Sequence, residues 1–338
     1  MNSTPDLRQR EDKLKDYLAA EIKELLFDEL SEDYIERNAL DFLKGVPVPL
    51  TATDIINSKE DGLALIEIAD NMARVIGADT HFPHNGAYLR FFARFFSEKL
   101  TDVMTARGGR LLSEEKYRSA CVYFRTALIL DPADLKAVFG YACTCRQWYL
   151  SLEGDIEAEA LIAILKAEAL EYYEDCCMIF PDFAEAYYFL GYAYLNEACY
   201  ARANSVWKQF MALAGDAHEE ERAEIAERLE ALEEPVKIEA GVNEMIAGRI
   251  EKGLGILEPY VESSYSEWWP LHYYLAEGYR ALGLTDEAIE GYRRVIALSP
   301  SNVESNRALG ELYASQGNAE MAEKYLGKAD LIEKNKEE

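Results

Sequence analysis

The chain has 338 residues, of which 49% are hydrophobic, 29% charged and 12% aromatic, enough to bury a core and too apolar for wholesale disorder. Its 62 Asp and Glu against 35 Lys and Arg leave a net charge of −27, which repels phosphate backbones and anionic lipid and argues against a nucleic-acid or membrane partner. No apolar run approaches the roughly 18 residues of a membrane-spanning helix, and the charged start lacks a signal core, so a soluble, cytoplasmic protein is expected.

In chain order, residues 1–100 read as a helical region distinct from residues 101–338. Thr4-Pro5 opens a long amphipathic helix to about Leu30, with Leu14, Leu18, Ile22, Leu25 and Leu26 on its apolar face. Ser31 is placed to cap a second helix that reaches Lys44 and closes at Gly45. Residues 46–54, rich in Pro and Thr, read as a linker, and a third helix follows from Gly62 to Ile76. A fourth runs from Tyr88 to Leu100, its Tyr88, Phe91, Phe92, Phe95 and Phe96 forming a core stripe that joins this region to the rest and caps it.

From about residue 101 the chain repeats itself. Shifted by 34 residues, Leu275-Ala276 falls on Leu309-Gly310, Tyr279 on Tyr313, Gly283 on Gly317 and Ala288 on Ala322. Tyr187, Leu190-Gly191, Tyr194, Ala203 and Trp207 follow the same pattern, and Ala120, Phe124 and Ala127 supply another second helix. Small residues let two antiparallel helices approach closely, while Tyr and Leu at spacings of three and four fill the groove beside them. Pro132, Pro181 and Pro300 stop the second helices. These residues resemble the tetratricopeptide repeat. The resemblance implies an all-α superhelix, a helical-repeat solenoid, over residues 101–338. Equivalent small residues are 49 residues apart from Ala120 to Ala169 and 50 from Ala203 to Gly253, so extra helical segments are expected near 151–166 and 216–234. Each is either an elongation of the neighbouring helices or a helix of its own.

Little in the chain asks for catalysis. Residues 248–253 superficially echo a phosphate loop but lack its Lys-Ser/Thr. No metal-ligand spacing joins the six cysteines, Cys121, Cys143, Cys145, Cys176, Cys177 and Cys199, which read as small buried residues; a thiol or metal sensor is the alternative. No cofactor is expected. The resemblance implies instead that first helices line a concave groove. In register, its lining is Phe139, Tyr188 and Tyr273, then Tyr192 and Glu277, then Arg146 and Arg280, unless neighbouring helices cover them. The Lys/Asn/Arg clamp with which some members hold a C-terminal carboxylate is not visible on Glu185, Tyr188, Tyr192, Tyr273 and Glu277. The function so implied is a non-enzymatic adaptor or scaffold holding a protein or peptide segment in that groove.

Charge adds a second theme. Between Ser151 and Glu234 there are 20 acidic against 5 basic residues, either solvated helix faces or a surface that steers a basic partner. Arg90, Arg94, Lys99, Arg107, Arg110, Lys116, Arg118 and Arg125 form a basic island, which allows an alternative: a structural homo-oligomer joined through opposite charges.

Overall fold

A computed structural model describes residues 7–57, 63–96 and 99–337. The chain divides into two compact units, Met1–Ala198 with Val206–His218, and Cys199–Ser205 with Glu219–Glu338. No helix among the described residues is long and apolar enough to cross a membrane.

The first unit opens differently from expectation. The proposed start of a helix at Thr4-Pro5 lies outside the described residues, and residues 7–28 are not one helix. They form turns of 3-10 helix at Leu7–Gln9 and Ala19–Ile22 around the single turn α1 (Lys15–Leu18), then a strand, β1 (Leu26–Asp28). The cause is tertiary. Arg10 binds Asp175 at 2.7 Å and Glu171 at 3.0 Å, Asp12 pairs with Arg125, and Lys15 meets Asp79 at 2.8 Å. With Leu14 and Leu18 buried between these pairs, the segment is laid down as a strap rather than wound into a helix.

Ser31 does cap α2 (Glu32–Asn38), its Oγ accepting from the Tyr34 N–H at 3.3 Å. That helix stops well short of Lys44, because Ala39 turns left-handed at φ 53°. The expected linker is partly a strand: β2 (Val48–Leu50) pairs antiparallel with β1, Phe27 opposite Pro49. Val48 and Leu50 are buried, and the tiny sheet tolerates Pro49 because it has no further strand to bond. In α3 (Ala52–Asn57), the Thr51 N–H donates to Asp54 and the Asp54 N–H to the Thr51 hydroxyl, a reciprocal cap at 2.7 and 3.1 Å. The third expected helix is α4 (Leu65–Ala78); Gly62 lies outside the described residues. The fourth is α5 (Asn85–Phe95), which buries Tyr88, Phe91 and Phe92 but leaves Phe95 and Phe96 half-buried and ends before Leu100.

Helical hairpins follow. In the first unit they are α6 (Lys99–Ser113) with α7 (Tyr117–Leu130), α8 (Leu135–Ser151) with α9 (Glu159–Ile179), and α10 (Ala184–Asn196) with α11 (Tyr200–Leu213), which the boundary between units divides. The second unit holds α12 (Glu219–Ala231), α13 (Glu233–Ile246), α14 (Ile250–Leu257), α15 (Trp269–Ala281), α16 (Thr285–Leu298), α17 (Val303–Ser315) and α18 (Ala319–Glu337). Pro132, Pro181 and Pro300 each stand two residues beyond a helix end, and the preceding residue Asp131 is extended, as a residue before proline prefers. Close approach needs the small residues. A Cβ on Gly191 would enter the indole of Trp207, whose ring is fully buried and whose Nε1 donates to the Tyr188 carbonyl at 3.1 Å.

The two extra segments take different forms. The first lengthens its hairpin, α8 having 17 residues and α9 21 against 13 and 14 in α10 and α11. The second is a helix of its own, α12, with Ile225 its one residue classed as buried. At the far end, the outward apolar positions Ile289 and Ile296 of α16 become Glu323 and Asp330 in α18, and Arg307 holds Glu333 at 2.7 Å.

Candidate protein-interaction faces

Four of the sequence-predicted groove residues lie in the first unit, Phe139 and Arg146 on α8, Tyr188 and Tyr192 on α10, and all four are half-buried. They join one continuous run of rings. The Phe139 centroid is 4.9 Å from Phe183, 5.9 Å from Phe189 and 6.1 Å from Tyr173. Tyr173 and Phe189 stack at 5.7 Å and 13°. Tyr188 meets Phe189 at 5.0 Å, Tyr192 at 5.2 Å and Phe210 at 5.4 Å, while Tyr192 stands edge-on to Trp207 at 5.1 Å. The Arg146 guanidinium lies 5.2 Å over Phe189. Rings tilted or edge-on in this way gain from their quadrupoles and hold one another in place.

The other three, Tyr273, Glu277 and Arg280, lie on α15 in the second unit and have partners of their own. Tyr273 packs 6.2 Å from Tyr292, whose hydroxyl donates to Glu277. Burial, reinforced by that carboxylate, pushes the Tyr292 hydroxyl well up, so it remains a donor. Arg280 reaches α17 and binds Glu311 at 2.8 Å, a half-exposed pair. These contacts knit α15, α16 and α17 together.

Sequence reasoning missed Phe183, Phe189 and Tyr173, which complete the run in the first unit. Fixed offsets on first helices exclude two of them: Phe183 precedes α10 and Tyr173 belongs to a second helix. The triplet Tyr187-Tyr188-Phe189 is the signal that was available, since three successive helical residues cannot all face one core.

Part of the basic island has partners inside the first unit. Arg125 is buried against Asp12, Arg107 binds Asp70 and lies 4.5 Å over Tyr123, Lys116 holds Glu114 at 2.7 Å, and Arg118 covers Trp148. Arg90, Arg94 and Lys99 are exposed. In the acidic stretch, Arg228 pairs with Glu224 within α12 and Glu219 and Glu220 face solvent.

All six cysteines are free thiols, Cys121, Cys145 and Cys176 buried. Burial pushes Cys143 up to about 11 and Cys176 and Cys177 up to about 12, which disfavours the thiolate that metal binding and redox chemistry use. Among the described residues Asp12, Asp79 and His81 bring ligand atoms within 4.8 Å of one another. Arg125 already neutralises Asp12 and Lys15 neutralises Asp79, so the group does not fit a cation.

Family models place the C-terminal repeats. One described as TPR repeat matches residues 277–317 and one described as Tetratricopeptide repeat matches residues 304–336. No curated protein matches the chain. Among solved structures, the chain is similar to the MamA protein at 18% identity and a TM-score of 0.29, covering 71% of this chain and 95% of that one. It is similar to the TPR domain of P58(IPK) at 17% identity and a TM-score of 0.38, covering 68% and 59%. YrrB, described as a TPR protein with an unusual peptide-binding site, is 17% identical with a TM-score of 0.30, covering 62% and 91%. Residues 277–336 thus match tetratricopeptide repeats, within a chain of all-α, helical-repeat fold, and such repeats support a role in protein–protein interaction.

Proposed function

We propose that the chain is a non-enzymatic adaptor and that the ring run of its first unit holds a segment of a partner protein. The observation that carries this reading is partial exposure. Phe139, Tyr188, Phe189 and Tyr192 stay half-buried in a chain that buries Trp207 and Phe210 almost completely. Rigid rings offer contact area at low entropic cost, and they dominate binding hot spots. The first extra segment lengthens α8 and α9 instead of forming a separate helix that would cover these rings. The net charge of −27 supports a protein partner over nucleic acid or anionic membrane.

The test compares partners captured from source-cell lysate by the full chain and by the double variant Phe139→Ala, Tyr192→Ala. Circular dichroism and thermal melting must show the variant folded. A partner held by the wild type and lost at least tenfold by the folded variant supports the reading. Identical partner sets from both baits refute it.

A further inference from the structure

One groove lies wholly within the second unit, and a short helix is its origin. α14 ends after eight residues, against 14 in α16, and the chain continues as a 3-10 turn, Glu258–Glu262, and a loop that leads into α15. The groove beside that stretch, lined by residues of the loop, α15 and α16, holds about 500 Å³. Val261 and Leu275 give it apolar walls, and Glu287 and Glu290 bring carboxylates to it. A Cβ on Gly291 would meet that of Ala276, which fixes how the antiparallel pair α15 and α16 lie against each other. His272 and Arg294 therefore fall at one end of the groove, Tyr279 and Glu287 at the other.

At the first end the Ser266 carbonyl accepts from His272 Nε2 at 2.8 Å and from Arg294 Nη2 at 3.4 Å. A carbonyl only accepts, so Nε2 carries the proton, and the neutral ring keeps its lone pair on Nδ1. His272 is only 7% exposed, yet Nδ1 has no hydrogen-bond partner among the described residues. A buried acceptor left without a donor is costly, and this one belongs to a ring that lines the groove. At the other end the Tyr279 hydroxyl donates to Glu258 at 3.0 Å. Glu287 and Glu290 are exposed and have no ion pair among the described residues. Glu290 stands four residues before Arg294, the spacing of a helical ion pair, but Arg294 turns to Ser266 instead. Carboxylates elsewhere in the unit do take cations, Glu244 from Lys252 at 3.1 Å and Glu311 from Arg280 at 2.8 Å.

We propose that this groove receives a segment of a partner protein that carries a lysine or arginine beside an apolar side chain. The basic head meets Glu287 and Glu290, the apolar side chain lies on Val261 and Leu275, and an N–H of the segment donates to His272 Nδ1. Glu258, Glu287 and Glu290 outweigh Arg294, so complementary charge steers such a segment in and turns an acidic one away. The inference goes beyond the ring run of the first unit: it gives the chain a second interaction face, and the two faces can fail separately.

The probe is a phage-displayed library of random linear peptides, depleted on the double variant Glu287→Gln, Glu290→Gln and then selected on the immobilised full chain. Selected peptides are synthesised and measured by fluorescence anisotropy. The proposal expects a Lys or Arg beside an aliphatic or aromatic residue in these peptides. It expects the double variant to bind them at least tenfold more weakly, about 1.4 kcal/mol. Replacing the peptide's basic residue by Gln should weaken binding to the wild type equally and have no further effect on the double variant. Glu219→Gln with Glu220→Gln removes the same charge from the exposed face of α12 and should leave binding unchanged. Phe139→Ala with Tyr192→Ala should leave it unchanged as well, and melting curves confirm that all variants fold. Equal loss in the α12 control would overturn the proposal, because net charge and not this groove would then be acting. Loss in the Phe139, Tyr192 variant would overturn it while supporting the ring run. Free spermidine that displaces the peptide at equal concentration would overturn it by showing that any amine suffices. An empty selection would overturn it and leave the ring run untouched.

Discussion

Asp12 and Arg125 are 113 residues apart in sequence and form the most deeply buried ion pair described in the chain, with side chains 5% and 2% exposed. Asp12 also accepts from the Thr80 N–H at 3.0 Å and its hydroxyl at 2.9 Å. Asp12→Asn keeps the shape but removes the charge, leaving a buried guanidinium without its counter-ion. Such a loss costs about 3–5 kcal/mol, of the order of a third to a half of a typical domain's stability. Asp70→Asn is the control, since the Asp70–Arg107 pair is 26% and 40% exposed and screened pairs are worth at most about 1 kcal/mol. Urea unfolding followed by far-ultraviolet circular dichroism measures both variants. The pH dependence gives a second readout. Burial alone would raise the Asp12 carboxyl, but the charge and hydrogen bond of Arg125, with Thr80, hold it below the usual carboxylate value. A lowered folded-state value means the pair's contribution is present above the unfolded value, about 3.9, and is lost as pH falls through the lower, folded one. The gap between wild type and Asp12→Asn should therefore be full at neutral pH and close in acid. An Asp12→Asn cost under about 1 kcal/mol at neutral pH, equal to that of Asp70→Asn, would refute the idea that burial decides the value of these pairs.

Glu168 tests the opposite sign. Burial raises its carboxyl despite the hydrogen bond from the Tyr141 hydroxyl at 2.8 Å, so its ionised form opposes folding once pH exceeds the unfolded value. Glu168→Gln should raise the melting temperature at pH 7, with the gain vanishing near pH 4; a lowered melting temperature at pH 7 would show that the ionised form is the favoured one. Gly191→Ala should cost about 1–3 kcal/mol, because its methyl must displace the buried Trp207 ring, and the tryptophan fluorescence should shift with it. An unchanged spectrum and stability would mean that α10 and α11 do not need their close approach.

The repeats were legible because their signal is local. Small residues, rings and closing prolines recur at fixed spacing, and each pair of helices obeys the same three- and four-residue neighbours whatever surrounds it. Phe139, Arg146, Tyr188 and Tyr192 could be placed on a shared face from register alone, and the structure brings them into one ring run. Phe183, Tyr173 and Lys166 complete that neighbourhood from a loop and from second helices, where register has no rule to find them.

What only the tertiary structure decided follows from partners far apart in the chain. The apolar spacing of residues 14–26 is helical, yet ion pairs from Arg10, Asp12 and Lys15 to Asp175, Arg125 and Asp79 lay the segment down as a strap. Residues 46–54 look like a linker until β2 finds β1, some twenty residues earlier, and buries Val48 and Leu50. Two extra segments of similar length become different things, one absorbed into α8 and α9 and the other the separate helix α12. Two members of the basic island read from spacing, Arg125 and Arg107, are taken up by Asp12 and Asp70. Periodicity alone therefore determined the helical hairpins. Charge pairing, strand pairing and the choice of which rings stay at the surface depend on contacts that no local pattern encodes.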